Sequence, residues 1–209
     1  MRASAYESSS RPRNQATYCS HPRNDVAAPA VWSDDVAAVD EVVRHLVGLG
    51  HRRIARVAGL PLLDHTHARI EAFRDAMGRH GLEPSDVVVT DYSAEQGAAA
   101  VRNLLLREDP PAAVTLDNDV MAVAGLAVAR ELGVAVPDEL TIVAGDDSQL
   151  CTLVHPSLTA LSRDVGGYGA KAARTLLAQI EGEHPDDVQD ATSRLVVRGS
   201  SAPPARLRD

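Results

Sequence analysis

Short valine-rich runs alternate with helix-length amphipathic segments along most of this 209-residue chain, and that alternation restricts the fold more than any other feature. The runs RRIARVAGL, DVVVTD, PPAAVTLD and DELTIVAGDD read as short strands, the first of them buried. Between them lie segments with apolar residues at helical spacing. SDDVAAVDEVVRHLVGLG carries Val36, Val39, Val43, Leu46 and Val47 on one face, with Ser33 or Asp34 as its cap and Gly48 and Gly50 as its stop. Residues 68–80 repeat the pattern with Ile70, Phe73 and Met77, and Gly81 ends them. A third helix is predicted over 93–107, capped by Ser93 with Glu95 and Gln96 in its first turn. Two more are predicted over 118–132, ended by Gly133, and 165–181. PAVW, SLTALSRD and SRLVVRGS add extended segments. This alternation predicts parallel β-α-β units with right-handed crossovers, hence an α/β, doubly wound parallel sheet with flanking helices.

Composition excludes several classes of function. Aromatic residues make up 3% of the chain, too few for the stacking platforms that bind single-stranded nucleic acid. The net charge is -8 and no basic stripe follows residue 60, so the chain lacks the electrostatic footprint of a nucleic-acid binder. No apolar run reaches the roughly 18 residues that span a bilayer. The start, MRASAYESSSRPRNQATYCSHPRND, has no apolar core of a secretory signal, and residues 1–28 are expected to be a disordered or atypical tail. Cys19 and Cys151 lie far apart without metal-ligand spacing, which favours reduced thiols and a cytoplasmic setting over a disulfide. No G-x-S-x-G, P-loop or G-x-G-x-x-G stands at a strand-turn-helix junction, so no enzyme class is indicated.

In a doubly wound sheet, ligands bind at the carboxyl ends of the strands. Here those ends carry Asp64 and His65, Asp91 and Tyr92, Asp117 to Asp119, and Asp146 and Asp147. Planar acceptors and donors of this kind grip the hydroxyls of a sugar-like ligand. Taken singly, Asp64, Asp91, Asp117 and Asp147 serve equally well as caps of the helices that follow. The His65-Thr66-His67 pair has the look of a metal site. A metal needs three or four converging ligands, and the other histidines fall elsewhere in the pattern, so no metal or other cofactor is expected.

Four segments, HLVGLGHRRIARVAG, LDNDVMAVAGLAVARELGVAVPDELTIVAGDD, HPSLTALSRD and LVVRGSSAPP, resemble the effector-binding domain of LacI/GalR-type bacterial transcriptional regulators in order and spacing. The resemblance runs from about Pro29 to Pro204. It implies a periplasmic-binding-protein type I-like fold that is present mainly as its C-terminal subdomain. Residues 29–205 would form this partial domain, with 33–162 and 193–205 as the C-terminal subdomain and 163–192 as the crossover helix of the N-terminal one. The helix-turn-helix headpiece and most of the N-terminal subdomain would be missing. Val165, Tyr168, Ala172, Leu176 and Ile180 would then form an exposed apolar stripe.

The resemblance also implies a site. ARIEAF places Arg69 where the family clamps sugar hydroxyls, and Asn118 of DNDVMA would hold the effector by its amide. Asp146 matches the ligand-contacting aspartate, and Tyr92 stands where an aromatic often meets the sugar, or else packs half-buried. Asp64, His65 and Arg163 complete the expected ligand contacts. Where the family has glycine and an aromatic before the acidic pair, this chain has Ala144 and Gly145. The partners implied are a small-molecule effector, most often a sugar, a second copy of the chain, and DNA only through a headpiece. No membrane partner is expected. The dimer would use the helix after Asp119, at Met121, Ala124, Gly125 and Ala127 to Ala129, with Leu153 to Leu158. Two other readings stay open: a dimerisation remnant without ligand, and a transport-type sugar-binding protein.

Overall fold

The computed structural model describes residues 28–83 and 86–205. The expected N-terminal tail and Cys19 lie outside the described residues, save for Ala28. The chain forms two compact units, one of Ser33–Val165 with Ala191–Asp209, the other holding Gly166–Asp190 and the segment ending at Trp32.

The larger unit is a six-stranded sheet in the order β3-β2-β4-β5-β6-β8. Its strands are β2 (Ile54–Ala58), β3 (Val87–Val89), β4 (Ala113–Leu116), β5 (Thr141–Ala144), β6 (Thr159–Ser162) and β8 (Arg194–Val196). The helices are α1 (Asp35–Gly48), α2 (Asp64–Arg79), α3 (Ala94–Leu105), α4 (Asp119–Glu131) and the single turn α5 (Leu150–Leu153). Three helices begin at a side-chain cap, and three end before a glycine. Asp34, Ser93 and Asn118 accept the backbone N–H of Ala37, Gln96 and Met121. Gly50, Gly81 and Gly133 follow the ends of α1, α2 and α4 at positive φ, a conformation costly for other residues.

Strand alternation sends two sets of side chains to opposite faces. Ile54, Ala113, Val143 and Leu161 meet Val39, Val43 and Leu46 of α1 and the chain's single phenylalanine, Phe73, on α2. Ala55, Val57, Val114, Leu116, Ile142 and Ala144 meet Val101 and Leu104 of α3 and Met121 and Leu126 of α4. Helices on both faces make the sheet doubly wound, as the sequence predicts. Because both faces are covered, β2, β4 and β5 are buried along their whole length. The chain runs from β2 outward to β3 and then crosses back to β4 on the other side of β2. The switch point of the sheet therefore lies between the carboxyl ends of β2 and β4.

Three details differ from the sequence prediction. β8 pairs antiparallel to β6, with Leu161 opposite Leu195. Residues 166–190 between them belong to the other unit, so the handedness rule for parallel crossovers does not fix the direction of β8. Helix α2 starts at Asp64, one turn before the expected residue 68. Met121, Val128 and Ala129, expected at a dimer face, are buried in the chain's own core.

In the smaller unit, β1 (Val31–Trp32) and β7 (Val188–Gln189) pair in parallel. Helix α6 (Val165–Ile180) reaches β1 through the Tyr168 hydroxyl, which donates to the Val31 carbonyl at 2.7 Å. Lys171 meets Asp190 at 2.6 Å. Thr175 is the buried residue of α6, whereas Val165, Leu177 and Ile180 are 69%, 56% and 53% exposed. Tyr168, Ala172 and Leu176 of the expected stripe are half-buried.

A helix with so little buried apolar surface opens by local unfolding far below the global stability. Amide protons of α6 are expected to exchange faster than those of β2, β4 and β5 in hydrogen-exchange mass spectrometry. Equal protection in a monomer would contradict this.

Candidate ligand-binding site

Arg56 is the one charged residue in the buried strand β2, and its position organises the switch point. Its guanidinium bonds Oδ1 of Asp117, which follows β4. The other carboxylate oxygen of Asp117 accepts the backbone N–H of Gly59 at 2.9 Å. Asp117 is 1% exposed, and Arg56 lies 5.9 Å over the ring of Phe73. Burial draws the Arg56 guanidinium towards its neutral form, and the Asp117 carboxylate opposes this. The sequence reading names Asp117 only as a polar strand end or a cap and does not name Arg56, yet an arginine within a run predicted to be buried already demands a buried acid. Of the four aspartates weighed as caps, Asp117 thus does another job. Asp91 accepts the Ser93 N–H at 2.9 Å, and Asp147 pairs with Arg198 at 2.8 Å.

Arg56 and Thr115 are register neighbours on β2 and β4, so their side chains leave the same face. With Asp35, Arg69, Asp117, Gly145 and Arg163 they line a recess of about 20 Å³ under the carboxyl edge of the sheet. Arg69, on α2, donates from Nε and Nη2 to Oδ1 of Asp35 at 3.0 and 2.8 Å. This cross-helix pair ties α2 to the first turn of α1 and leaves one face of the guanidinium towards the recess. Arg163, after β6, stands 3.8 Å from Asp146, after β5. Burial pushes the Asp146 carboxyl above the usual range, with Arg163 opposing.

Tyr92 sits at φ +70°. For a non-glycine residue this left-handed conformation costs about 1–3 kcal/mol unless its surroundings enforce it. Here they do. Its hydroxyl bonds Thr66 and, at 3.3 Å, Nε2 of His65. Its carbonyl accepts Nδ2 of Asn118 at 3.0 Å. Its ring lies so close over Gly59 that a Cβ there would come within 1.9 Å of it. Burial, and then Arg69, lower the His65 ring below the ordinary histidine value.

The structure therefore brings Arg69, Arg163 and Asp146 to one recess and its rim, and places Tyr92, His65 and Asn118 in one hydrogen-bonded group beside it. Asn118 spends one amide donor on Tyr92 and one acceptor on the Met121 N–H, which leaves a second donor and a second lone pair. Asp64 is exposed at the start of α2 and does not line the recess. His65 and His67 both fall inside α2, about 200° apart around its axis, and cannot share one ion. Among the described residues, no three His, Cys, Asp or Glu side chains gather with metal-site geometry. Gly145, in place of the aromatic, has a structural cause: a Cβ there would lie 2.3 Å from the Asp117 carbonyl oxygen.

Residues 43–201 match the periplasmic binding protein-like domain family. The chain is 36% identical over 186 residues to the HTH-type transcriptional regulator MalR of Streptomyces coelicolor, covering 86% of this chain and 54% of that protein. It is 31% identical over 180 residues to the HTH-type transcriptional repressor CytR of Escherichia coli, covering 85% and 53%. A crystal structure of a LacI transcriptional regulator from a Rhodococcus species superposes with TM-score 0.83 at 33% identity, over 90% of this chain and 70% of that one. A complex of the transcriptional regulator CelR with cellobiose superposes with TM-score 0.80 at 29% identity, over 88% and 57%. The chain spans about half the length of the curated relatives it matches.

Removing one partner of a buried ion pair strands the other charge. Arg56→Met is expected to lower the unfolding free energy by about 3–5 kcal/mol. The double variant Arg56→Met with Asp117→Asn is expected to recover a large part of that loss in urea titrations. A double variant as unstable as the single one would show that the pair does not carry the effect.

Proposed function

This chain belongs to the LacI family of transcriptional regulators through its periplasmic-binding-protein-like domain, and we propose that it is the ligand-sensing part of such a cytoplasmic regulator. The switch-point edge binds a small sugar-like effector. DNA is contacted through a helix-turn-helix headpiece of the kind named in its relatives. The observation that carries this reading is the pair of arginine–aspartate couples, Arg69 with Asp35 and Arg163 with Asp146, along the carboxyl edge of the sheet. A guanidinium already oriented by a carboxylate offers its remaining donors in a fixed plane, which suits two vicinal hydroxyls. The cellobiose found with CelR, a protein of the same fold, supports the ligand class.

The recess of about 20 Å³ is far smaller than the pockets of about 300–1,000 Å³ that bury 70–90% of a ligand's surface. Sugar binding by this chain is therefore expected to be weaker than micromolar. Titrating 15N-labelled protein with a panel of mono- and disaccharides should shift the resonances of Arg69, Asn118 and Asp146 at millimolar sugar, and Arg69→Met should abolish the shifts. If no sugar shifts them, the reading fails and a dimerisation module without ligand takes its place. A micromolar sugar would refute the argument from the small recess.

The proposed regulator is a homodimer. A groove of about 720 Å³ runs between α4 and the segment after α5, lined by Val123, Ala127, Val134, Val136, Leu153 and Val154. Leu153 is 77% exposed, and a second copy of this face would cover it. Light scattering is expected to give a dimer, and Leu153→Asp a monomer. A wild-type monomer at high micromolar concentration would exclude this face.

A further inference from the structure

The recess beneath the switch point has apolar walls from α1, β4, β5 and β6, into which arginine and aspartate side chains are set. Three buried atoms of its lining residues, Arg56 Nε, Arg163 Nε and Thr115 Oγ1, have no hydrogen-bond partner among the described residues. Arg56 is 6% exposed and Thr115 3%. The neighbouring carboxylates are already engaged. Asp117 is taken by Arg56 Nη2 and the Gly59 N–H, and Asp35 by two donors of Arg69. Three arginines and two aspartates line the recess, and a third aspartate, Asp146, stands 3.8 Å from Arg163 beside it, so the charges balance.

A guanidinium N–H can only donate, and the Thr115 hydroxyl has a proton to give. Unpartnered donors are met best by an atom that only accepts. A sugar hydroxyl would bring its own proton, for which the three unpartnered atoms offer no acceptor but Thr115 itself. A carboxylate oxygen meets the condition, and a charge-assisted bond is roughly twice as strong as a neutral one. Size narrows the choice further. A recess of about 20 Å³ admits one water-sized atom, so one oxygen of a planar carboxylate can enter while its ring stays at the rim. The tetrahedral phosphate of a phosphosugar presents a bulkier end.

We propose that Arg56, Thr115 and Arg163 form a carboxylate subsite, and that the effector is an acidic sugar whose carboxylate oxygen enters the recess while Arg69 holds its hydroxyls. This rests on the reading of the edge as a carbohydrate site.

The test is a titration of 15N-labelled protein, observed at the arginine Nε–Hε resonances, with glucuronate, glucose and glucose 6-phosphate at one pH and ionic strength. Glucuronate is expected to bind about tenfold more tightly than glucose and to shift the Arg56 and Arg163 Nε–Hε signals. Glucose 6-phosphate is expected to bind more weakly than glucuronate. Thr115→Val and Arg163→Gln, each checked for an unchanged thermal transition, should bring glucuronate down to the affinity of glucose. Glucose binding as tightly as glucuronate would overturn the subsite and leave the sugar-sensing reading intact. Glucose 6-phosphate binding more tightly than glucuronate would overturn the carboxylate assignment. Acid preference that survives in both variants would reduce the recess to a place for a structural water and overturn the proposal. Silence with all three sugars would remove both the subsite and the function beneath it.

Discussion

The buried pair between Arg56 and Asp117 is the constraint on which the rest of the site depends. It joins the two strands that flank the switch point, and it does so where both faces of the sheet are closed to water. A guanidinium in such a place is tolerated only with its charge compensated and its donors oriented. Asp117 meets the first demand, and by accepting the Gly59 N–H it also fixes the start of the loop that leads to α2. The loop after β2 and the end of β4 are thereby set against each other before any ligand is considered.

The surrounding residues follow from that arrangement. Gly59 must lack a side chain because the Tyr92 ring occupies the space above it, and Gly145 because β5 passes close to the Asp117 carbonyl. Tyr92 accepts a strained backbone, held by Thr66, His65 and Asn118. Strain of this kind persists at functional edges because neighbouring contacts over-determine it. Arg69 is oriented by Asp35 from another helix. The polar groups of the edge are therefore held by the scaffold in two clusters, one lining the recess and one joined through Tyr92.

Much of this was legible in the sequence, for physical reasons. Strand and helix periods differ, so the run around Ile54–Ala58 and the stripe Ile70, Phe73, Met77 declare their elements without help. Capping is local, which is why Asp34 and Ser93 could be read as helix starts. Arg69 and Asp146 were named through the family resemblance; Arg69 lines the recess and Asp146 stands beside it, 3.8 Å from Arg163. Arg56, Thr115 and Asp35 were not legible, because their meaning lies in contacts between distant parts of the chain. The β2–β4 register brings together residues 56 and 115, and the packing of α1 on α2 brings together residues 35 and 69. The antiparallel β8 escaped for a similar reason, since direction is inherited from a connection through the other unit.

The sequence by itself determined the alternation of strands and helices and the placement of polar residues at the carboxyl ends, which depend on periodicity and on short-range turn and cap chemistry. It carried the family through the resemblance of four segments. Tertiary structure alone decided which charges compensate one another, which aspartate caps and which is buried, and where three buried donors are left without a partner among the described residues. Those outcomes depend on distances across strands and helices, which no local pattern encodes.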